Sequence, residues 1–189
     1  MLYGTQLMFV LMAILYAKKK ERSIKKHLRL HSAPLRAFLL MALVMVLYVP
    51  VASFLTLIPI TFLNELGFKY MDPGVPSMDY PTILSFIMFS LTPGICEELL
   101  SSYERPLSRS QALIWSGFFF GIIHLTPYNL LSPWVMGMIF GLFVFKYNSV
   151  FPAIFGHALF NSSVLLVEKL DTFIDLDGHE VADPTVMGI

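Results

Sequence analysis

The sequence predicts an all-α protein, a polytopic membrane bundle of about six transmembrane helices. Apolar residues make up 56% of the 189 residues and charged residues only 14%, below the quarter or so that is typical of soluble domains. The few charges lie between long apolar runs, and the mean hydropathy is +0.69. This composition makes the lipid bilayer the expected environment. The net charge of zero gives no reason to expect a nucleic-acid partner.

Residues 1–80 are predicted to form a two-span anchor. The apolar run Leu2–Ala17 is followed, not preceded, by basic residues, which is the order of a membrane anchor rather than of a cleaved signal peptide. The basic loop 18–36 should therefore be cytoplasmic. Leu35–Leu63 is the longest apolar stretch, with Pro50 and Pro59 as kink points. The loop from residue 64 to residue 80 then lies outside.

Residues 81–167 are predicted to form a four-span core, and residues 168–189 an acidic outer tail. When each basic residue is assigned a side on this scheme, 11 of the 13 Lys and Arg lie inside, as the positive-inside rule requires. We therefore expect a multi-pass protein of a bacterial cell membrane. The four core spans are Pro81–Leu100, Gln111–Leu125, Leu130–Phe145 and Val150–Val167.

Two adjacent carboxylates, Glu97 and Glu98, interrupt the third predicted span. An ionised carboxylate in hydrocarbon costs at least ~2.5–3.5 kcal/mol, so such residues face a protein interior or a water-filled cavity and often carry function. The alternative is a pair at a helix end that reaches the headgroups. Pro93-Gly94 directly precedes the pair and weakens the helical backbone, which points to a site.

Three more polar residues lie in later spans. His124 ends a Phe-x-x-x-His sequence in the fourth span. His157 and Asn161 are four residues apart in the sixth span, so they lie on one helix face. A single histidine on an apolar face is commonly a satisfied core residue, but polar groups in several spans are expensive to bury unless they meet.

The Glu-Glu pair, Phe-x-x-x-His and His-x-x-x-Asn, in that order on successive apolar segments, resemble the CPBP family of intramembrane proteases. This family is also called the CAAX prenyl protease type II or Abi family, and the resemblance covers Pro81–Ser163. It implies an endopeptidase that acts on a membrane-associated peptide or lipidated protein.

The resemblance also implies a role for each polar residue. Glu97 would be the general base and Glu98 its neighbour in the same motif, while His124 would help to hold the attacking water. His157 and Asn161 would stabilise the oxyanion. A ring N–H and a side-chain amide are suitable donors for a tetrahedral oxygen, and a positioned carboxylate is a suitable base for water.

One part of the family pattern is missing. The first motif of the family reads Glu-Glu-x-x-x-Arg, followed by Gly, but Ser102 and Tyr103 occupy the corresponding positions. The chain reads as though about six residues were absent, a helix shortening of ~9 Å. On straight helices Glu97 and His124 would then lie at different depths, unless the third span slides or bends at Pro93-Gly94.

Three function classes fit these features: an active CPBP-type protease, a catalytically impaired relative that acts as an immunity or scaffold protein, and a proton- or metal-coupled transporter. A glutamate mechanism that requires no cofactor is preferred. Zinc is the alternative, and it would need Glu97 or Glu98 together with both His124 and His157, since a catalytic zinc takes three protein ligands. Cys96 is expected to be a buried apolar filler rather than a reactive thiol.

Overall fold

The computed structural model of the protein describes residues 11, 14–15, 18, 23–70, 82–101, 108–124 and 126–178. For residues 24, 27, 82, 85, 88, 97–101 and 168–178 it describes the backbone alone. The predicted first span therefore lies almost wholly outside the described residues, as do parts of the loops that flank the third span. The division into an anchor, a core and a tail stays a prediction.

All regular structure in the described part of the chain is helical, which confirms the all-α class for those residues. The helices are α1 (Ile24–His27), α2 (Leu35–Glu65), α3 (Thr82–Phe86), α4 (Thr92–Ser101), α5 (Arg109–Ile122), α6 (Leu131–Tyr147) and α7 (Phe151–Gly178). A π-helical turn, Ile87–Leu91, joins α3 to α4, and a 3-10 turn, Pro127–Asn129, precedes α6.

Helices α2 to α7 coincide with the second to the sixth predicted span, although α7 continues past Val167 to Gly178, and α1 lies within the predicted basic loop. Within these residues α2 is the one helix long and apolar enough to cross a bilayer, and it contains both prolines predicted as kink points. α6 and the first part of α7 are apolar but shorter. Six spans thus stay a prediction.

The core lies where α2, α5, α6 and α7 meet. Met41 and Met45 of α2 pack there with Phe120 and Phe140, and all four are almost completely buried. Tyr48 is buried beside them and donates its hydroxyl hydrogen to the Ser132 carbonyl at 2.6 Å. This hydrogen bond satisfies a polar group inside an otherwise apolar interior and ties α2 to α6.

Glycines allow α5 and α6 to pack closely. A Cβ on Gly117 would lie 2.5 Å from the carbonyl oxygen of Trp134, and one on Gly137 would lie 2.9 Å from the Cα of Gly117. Four residues further along α5, a Cβ on Gly121 would lie 2.8 Å from the Leu130 carbonyl oxygen, whereas one on Gly141 of α6 would have the end of the Leu113 side chain as its nearest neighbour, at 2.9 Å. Small residues spaced four apart let two helix backbones come close together. In a membrane, where helices gain nothing from the hydrophobic effect by associating, this close van der Waals packing stabilises the pair.

Loops that were predicted to share a side of the membrane meet at the same end of the bundle. At one end, Ser149 donates its hydroxyl hydrogen to the His31 carbonyl at 2.6 Å, and the Val150 N–H donates to the Arg29 carbonyl at 3.2 Å. At the other end, the Tyr70 and Tyr128 rings pack with their centroids 5.1 Å apart. Which end faces the cytoplasm stays a prediction.

Candidate active site

The helix that carries the two carboxylates is irregular just before them. The Thr92 backbone N–H donates to the Ile87 carbonyl five residues back, and the Thr92 hydroxyl donates to the same oxygen at 2.8 Å. Pro93 has no N–H, so the Phe89 carbonyl cannot receive its usual α-helical hydrogen bond. The predicted weakness at Pro93-Gly94 is thus present, and it takes the form of a π turn, a feature that is frequent at functional sites.

Asn161 satisfies the carbonyl that Pro93 leaves without a helical donor. Its side-chain amide donates to the Phe89 oxygen at 3.2 Å from the neighbouring α7. A side-chain amide carries two N–H groups, so this contact engages one of them. Asn161 therefore has a structural role that the sequence analysis did not predict. The sequence does contain the signal, because a proline within a predicted span leaves the carbonyl four residues before it in need of another donor.

Gly94 brings the backbones of α4 and α7 together. A Cβ at this position would lie 3.1 Å from the Ile154 carbonyl oxygen and 3.2 Å from the Ala158 nitrogen. Together with the Phe89–Asn161 hydrogen bond, this contact fixes an antiparallel register for the two helices. The backbone of Glu97 lies in α4 three residues beyond Gly94, about 4.5 Å along the axis.

The side chains of Glu97 and Glu98 lie outside the described part of the chain, so their predicted roles stay predictions. α4 contacts both α5 and α7. α5 ends two residues before His124, and α7 contains His157. Cys96, next to Glu97, is buried with 8% of its surface exposed, which agrees with the expected filler.

His157 is buried in the aromatic part of the core, with 2% of its surface exposed. Its ring stacks on Phe140 at a centroid distance of 5.5 Å and meets the Phe120 ring edge-on at 5.3 Å. Two rings thus fix the plane of the imidazole. A ring held in this way is preorganised, which is the condition for an effective oxyanion donor.

His124 follows the end of α5 and is exposed. Its Nδ1 lies 2.9 Å from the Phe120 carbonyl oxygen. A carbonyl can only accept, so Nδ1 carries the hydrogen and Nε2 of the neutral ring is an acceptor or a metal ligand. The ring also lies 5.5 Å from the Phe120 ring.

Phe120 therefore contacts both predicted histidines. Its ring lies against His124 and His157, and its carbonyl orients the first of them. The Phe-x-x-x-His spacing was the signal for this arrangement, because residues four apart are neighbours on a helix. The sequence analysis used that spacing only as part of a motif and did not assign Phe120 a role.

Ser90, in the π turn, is a second residue that sequence reasoning missed. It is completely buried, and its hydroxyl has no hydrogen-bond partner among the described residues. A buried hydroxyl without a partner is unfavourable by ~1–3 kcal/mol, and few are found in native proteins. No sequence signal would have identified it, because its burial depends on how α7 covers the turn.

Residues 79–163 match the family model described as type II CAAX prenyl endopeptidase, Rce1-like. The match supports assigning this part of the chain to the CPBP/CAAX protease family. The match spans all three motifs and agrees with the resemblance over Pro81–Ser163. The family is one of membrane-embedded proteases, and the apolar α2 is consistent with that setting. No curated protein and no solved structure matches the chain.

The departure from the family motif stays as the sequence shows it. Ser102, Tyr103 and Arg105 lie outside the described residues, so the structure does not address the missing arginine. It does describe the backbone before this point, where the π turn adds one residue to a helical turn and shifts the rest of α4.

A metal site in this protein would need ligands from outside the described side chains. Among the described side chains, no group of three His, Cys, Asp or Glu could hold a metal ion. His124 could offer Nε2, but a catalytic zinc takes three protein ligands. Glu97 or Glu98 would have to complete such a set.

Proposed function

We propose that the protein is an intramembrane endopeptidase of the CPBP type, which cleaves a membrane-associated peptide or lipidated protein with a glutamate-activated water. The observation that carries the proposal is the close contact of Gly94 with Ile154 and Ala158. It brings the backbone just before the two carboxylates against α7 at Ile154 and Ala158, on either side of His157 in the sequence. A pair of helices that serves only for packing does not require a π turn, a proline and a buried histidine close to the same helix–helix contact.

In the proposed mechanism Glu97 removes a proton from water, and the water oxygen attacks the scissile carbonyl carbon. His124 accepts a hydrogen bond from that water at Nε2, since its Nδ1 is held by the Phe120 carbonyl. The negative oxygen of the tetrahedral intermediate receives hydrogen bonds from His157 and from the second amide N–H of Asn161. Glu97 then returns the proton to the leaving nitrogen as the C–N bond breaks.

The proposed setting is a six-span bundle with the basic loop 18–36 in the cytoplasm and residues after 168 outside. It is supported by the grouping of loops at the two ends of the bundle. Cysteine labelling in intact cells tests it, with Ser23→Cys and Thr172→Cys as the two sites. Labelling of Thr172→Cys alone by an impermeant reagent is expected, and labelling of Ser23→Cys would overturn the topology.

No step of this mechanism passes through a metal, and zinc is the alternative. Metal content of the purified protein, and cleavage before and after strong chelation, separate the two. Cleavage that survives chelation supports the glutamate mechanism. Stoichiometric zinc, with activity that chelation removes and zinc restores, would replace it.

A catalytically impaired family member is the second candidate function. It is favoured by Ser102 and Tyr103 at the positions of the family arginine and glycine. It is also compatible with the hydrogen bond from Asn161 to the Phe89 carbonyl, because this hydrogen bond gives Asn161 a structural role that does not require catalysis. Such a protein would keep the bundle and act as an immunity or scaffold protein.

The deciding experiment is a cleavage assay with a prenylated reporter peptide in detergent. The native chain is compared with one in which Phe-Arg-Gly and three apolar residues are inserted after Leu100. We expect the native chain to cleave the reporter. Activity in the repaired chain alone would establish the catalytically impaired function, and folded protein without activity in either form would contradict the protease proposal.

A further inference from the structure

The 3-10 turn Pro127–Asn129 follows His124 and contacts the segment of chain that comes after α2. The ring of Tyr128 packs edge-on against that of Tyr70, with the centroids 5.1 Å apart and the planes at 61°. Aromatic pairs in this geometry contribute ~0.5–1.5 kcal/mol beyond the area that they bury. The Tyr128 hydroxyl also donates to the Lys69 carbonyl at 3.4 Å. Two consecutive residues of the loop after α2 thus hold the turn.

The next residue of the turn contacts α2 itself. The Thr56 hydroxyl donates to the side-chain oxygen of Asn129 at 3.5 Å. We call Thr56, Tyr70, Tyr128 and Asn129 the turn cluster. All four residues are partly buried, which reduces the competition of water for their contacts.

His124 lies between the end of α5 and the turn cluster. α5 ends at Ile122, and Ile123 packs against the core. The His124 ring is joined to the same helix through Nδ1 and the Phe120 carbonyl. Beyond it the backbone is extended at Thr126, with φ −133° and ψ 126°, so the helical hydrogen-bond ladder does not continue there. On this side the chain is held by the turn cluster instead.

The position of His124 matters for the proposed mechanism, because its Nε2 has to meet the water that Glu97 activates. Helix ends and connections open locally more easily than the interiors of packed helices. A displacement of about 1 Å that originates far from the chemistry can lower a rate ~10²-fold. A turn that is attached to α2 limits such a displacement of the chain around His124.

Two members of the turn cluster, Thr56 and Tyr70, precede residues 79–163, the part of the chain that matches the family model. We propose that these two residues are positioning residues of the protease, which hold the turn and thereby keep His124 at the attacking water. This role rests on the proposed function. It makes the predicted N-terminal anchor a part of the catalytic unit as well as a membrane attachment.

The first test measures kcat and KM of the purified full-length chain with the prenylated reporter peptide, below the Tm of every variant. Tyr70→Leu should lower kcat about tenfold and change KM less than about twofold, because it displaces a group needed in the transition state. Tyr128→Leu should lower kcat by a similar factor. The double variant should lose little more than either single one, since both changes break the same contact. Tyr128→Phe keeps the ring and should retain most of kcat.

Phe68→Leu is the matched control. It removes an aromatic ring from the same loop, but this ring is 60% exposed and lies outside the turn cluster. It should leave kcat unchanged. Equal losses of kcat in Phe68→Leu and Tyr70→Leu, or a lower Tm in Tyr70→Leu without a loss of kcat, would overturn the positioning role.

A second measurement does not depend on cleavage. Nitrogen NMR of protein with isotope-labelled histidine, at alkaline pH, reports which ring nitrogen carries the hydrogen, and the signals missing in His124→Gln identify His124. The native chain should show the hydrogen on Nδ1, whereas Tyr70→Leu should show exchange between both nitrogens as the contact with the Phe120 carbonyl loosens. If this change occurs but no chain cleaves the reporter, the proposed function fails and the positioning of His124 stands. An unchanged His124 signal in Tyr70→Leu would overturn the positioning itself.

Discussion

The α5–α6 and α4–α7 interfaces both depend on glycine, but they differ in what else they contain. Between α5 and α6, Gly117 and Gly137 meet backbone and ring atoms in regular helices. Between α4 and α7, Gly94 meets backbone atoms next to a π turn, a proline and a carbonyl that a side chain of the other helix must satisfy. The first interface is regular packing, whereas the second combines packing with irregular backbone.

This difference separates the scaffold from the candidate site. Irregular backbone within an apolar bundle is tolerated only where protein or water satisfies the freed groups. Asn161 does this for Phe89, while Ser90 remains without a partner among the described residues. Substitutions in the first interface should therefore change stability alone, whereas substitutions in the second should change activity as well as stability, and at Ser90 the stability should rise.

The largest expected effect is on catalysis at the α4 side. Glu97→Gln should lower cleavage of a reporter peptide by ~10²–10⁴-fold, because general-base catalysis contributes that much. The thermal stability of the variant in detergent should change little, since an amide keeps the size of the side chain. Unchanged cleavage in a folded Glu97→Gln protein would remove Glu97 from the mechanism.

The next effect is on stability at the α5–α6 interface. Gly117→Ala should destabilise the protein by ~1–3 kcal/mol, the usual penalty for overpacking, because the new Cβ would meet the Trp134 carbonyl oxygen at 2.5 Å. Gly141→Ala is the control, since its nearest neighbour is the flexible end of the Leu113 side chain at 2.9 Å. Equal Tm losses for the two variants would show that the backbone contact is not the cause.

A double-mutant cycle sharpens the assignment of Asn161. Asn161→Ala should cost about 1 kcal/mol of stability through the lost bond to Phe89. Pro93→Ala returns an N–H that can serve the same carbonyl, so the stability loss from Asn161→Ala should shrink in that background. The measurement is the Tm of all four proteins.

The same four proteins distinguish structure from catalysis. If Asn161 is also an oxyanion donor, its removal should lower cleavage by ~10²–10³-fold in both backgrounds. A stability effect that Pro93→Ala cancels, with cleavage equally restored, would leave Asn161 with a purely structural role. All four proteins keep Gly94, so the close contact between α4 and α7 is not itself altered by substitution.

The smallest expected effect has an unusual sign. Ser90→Ala should raise the unfolding free energy, by up to about 1 kcal/mol, because it removes a buried hydroxyl that has no partner among the described residues. Ser149→Ala is the matched control: this serine is equally buried but donates to the His31 carbonyl, so its loss should lower stability by about as much. A drop in Tm for Ser90→Ala would indicate that the hydroxyl binds a water or a substrate group.

The sequence predicted the helical class and the bounds of most helices because each depends on local composition. Long apolar runs, the prolines and the charged loops place these boundaries within about three residues, except that α7 continues eleven residues past the predicted end at Val167. α2 begins at Leu35 as predicted, and the tight connection around Asn148 adopts the left-handed conformation that ends α6. The motifs also sufficed to predict the family, which the match over residues 79–163 confirmed.

The tertiary structure alone decided the contacts between residues far apart in the chain. Phe120 lies between two histidines, Asn161 reaches the carbonyl freed by Pro93, and Arg29 meets Arg109 over Phe145. Each depends on the register and rotation of packed helices, and a shift of one residue turns a side chain by about 100°. Local pattern fixes which residues a helix contains, but only packing against other helices fixes which of them meet.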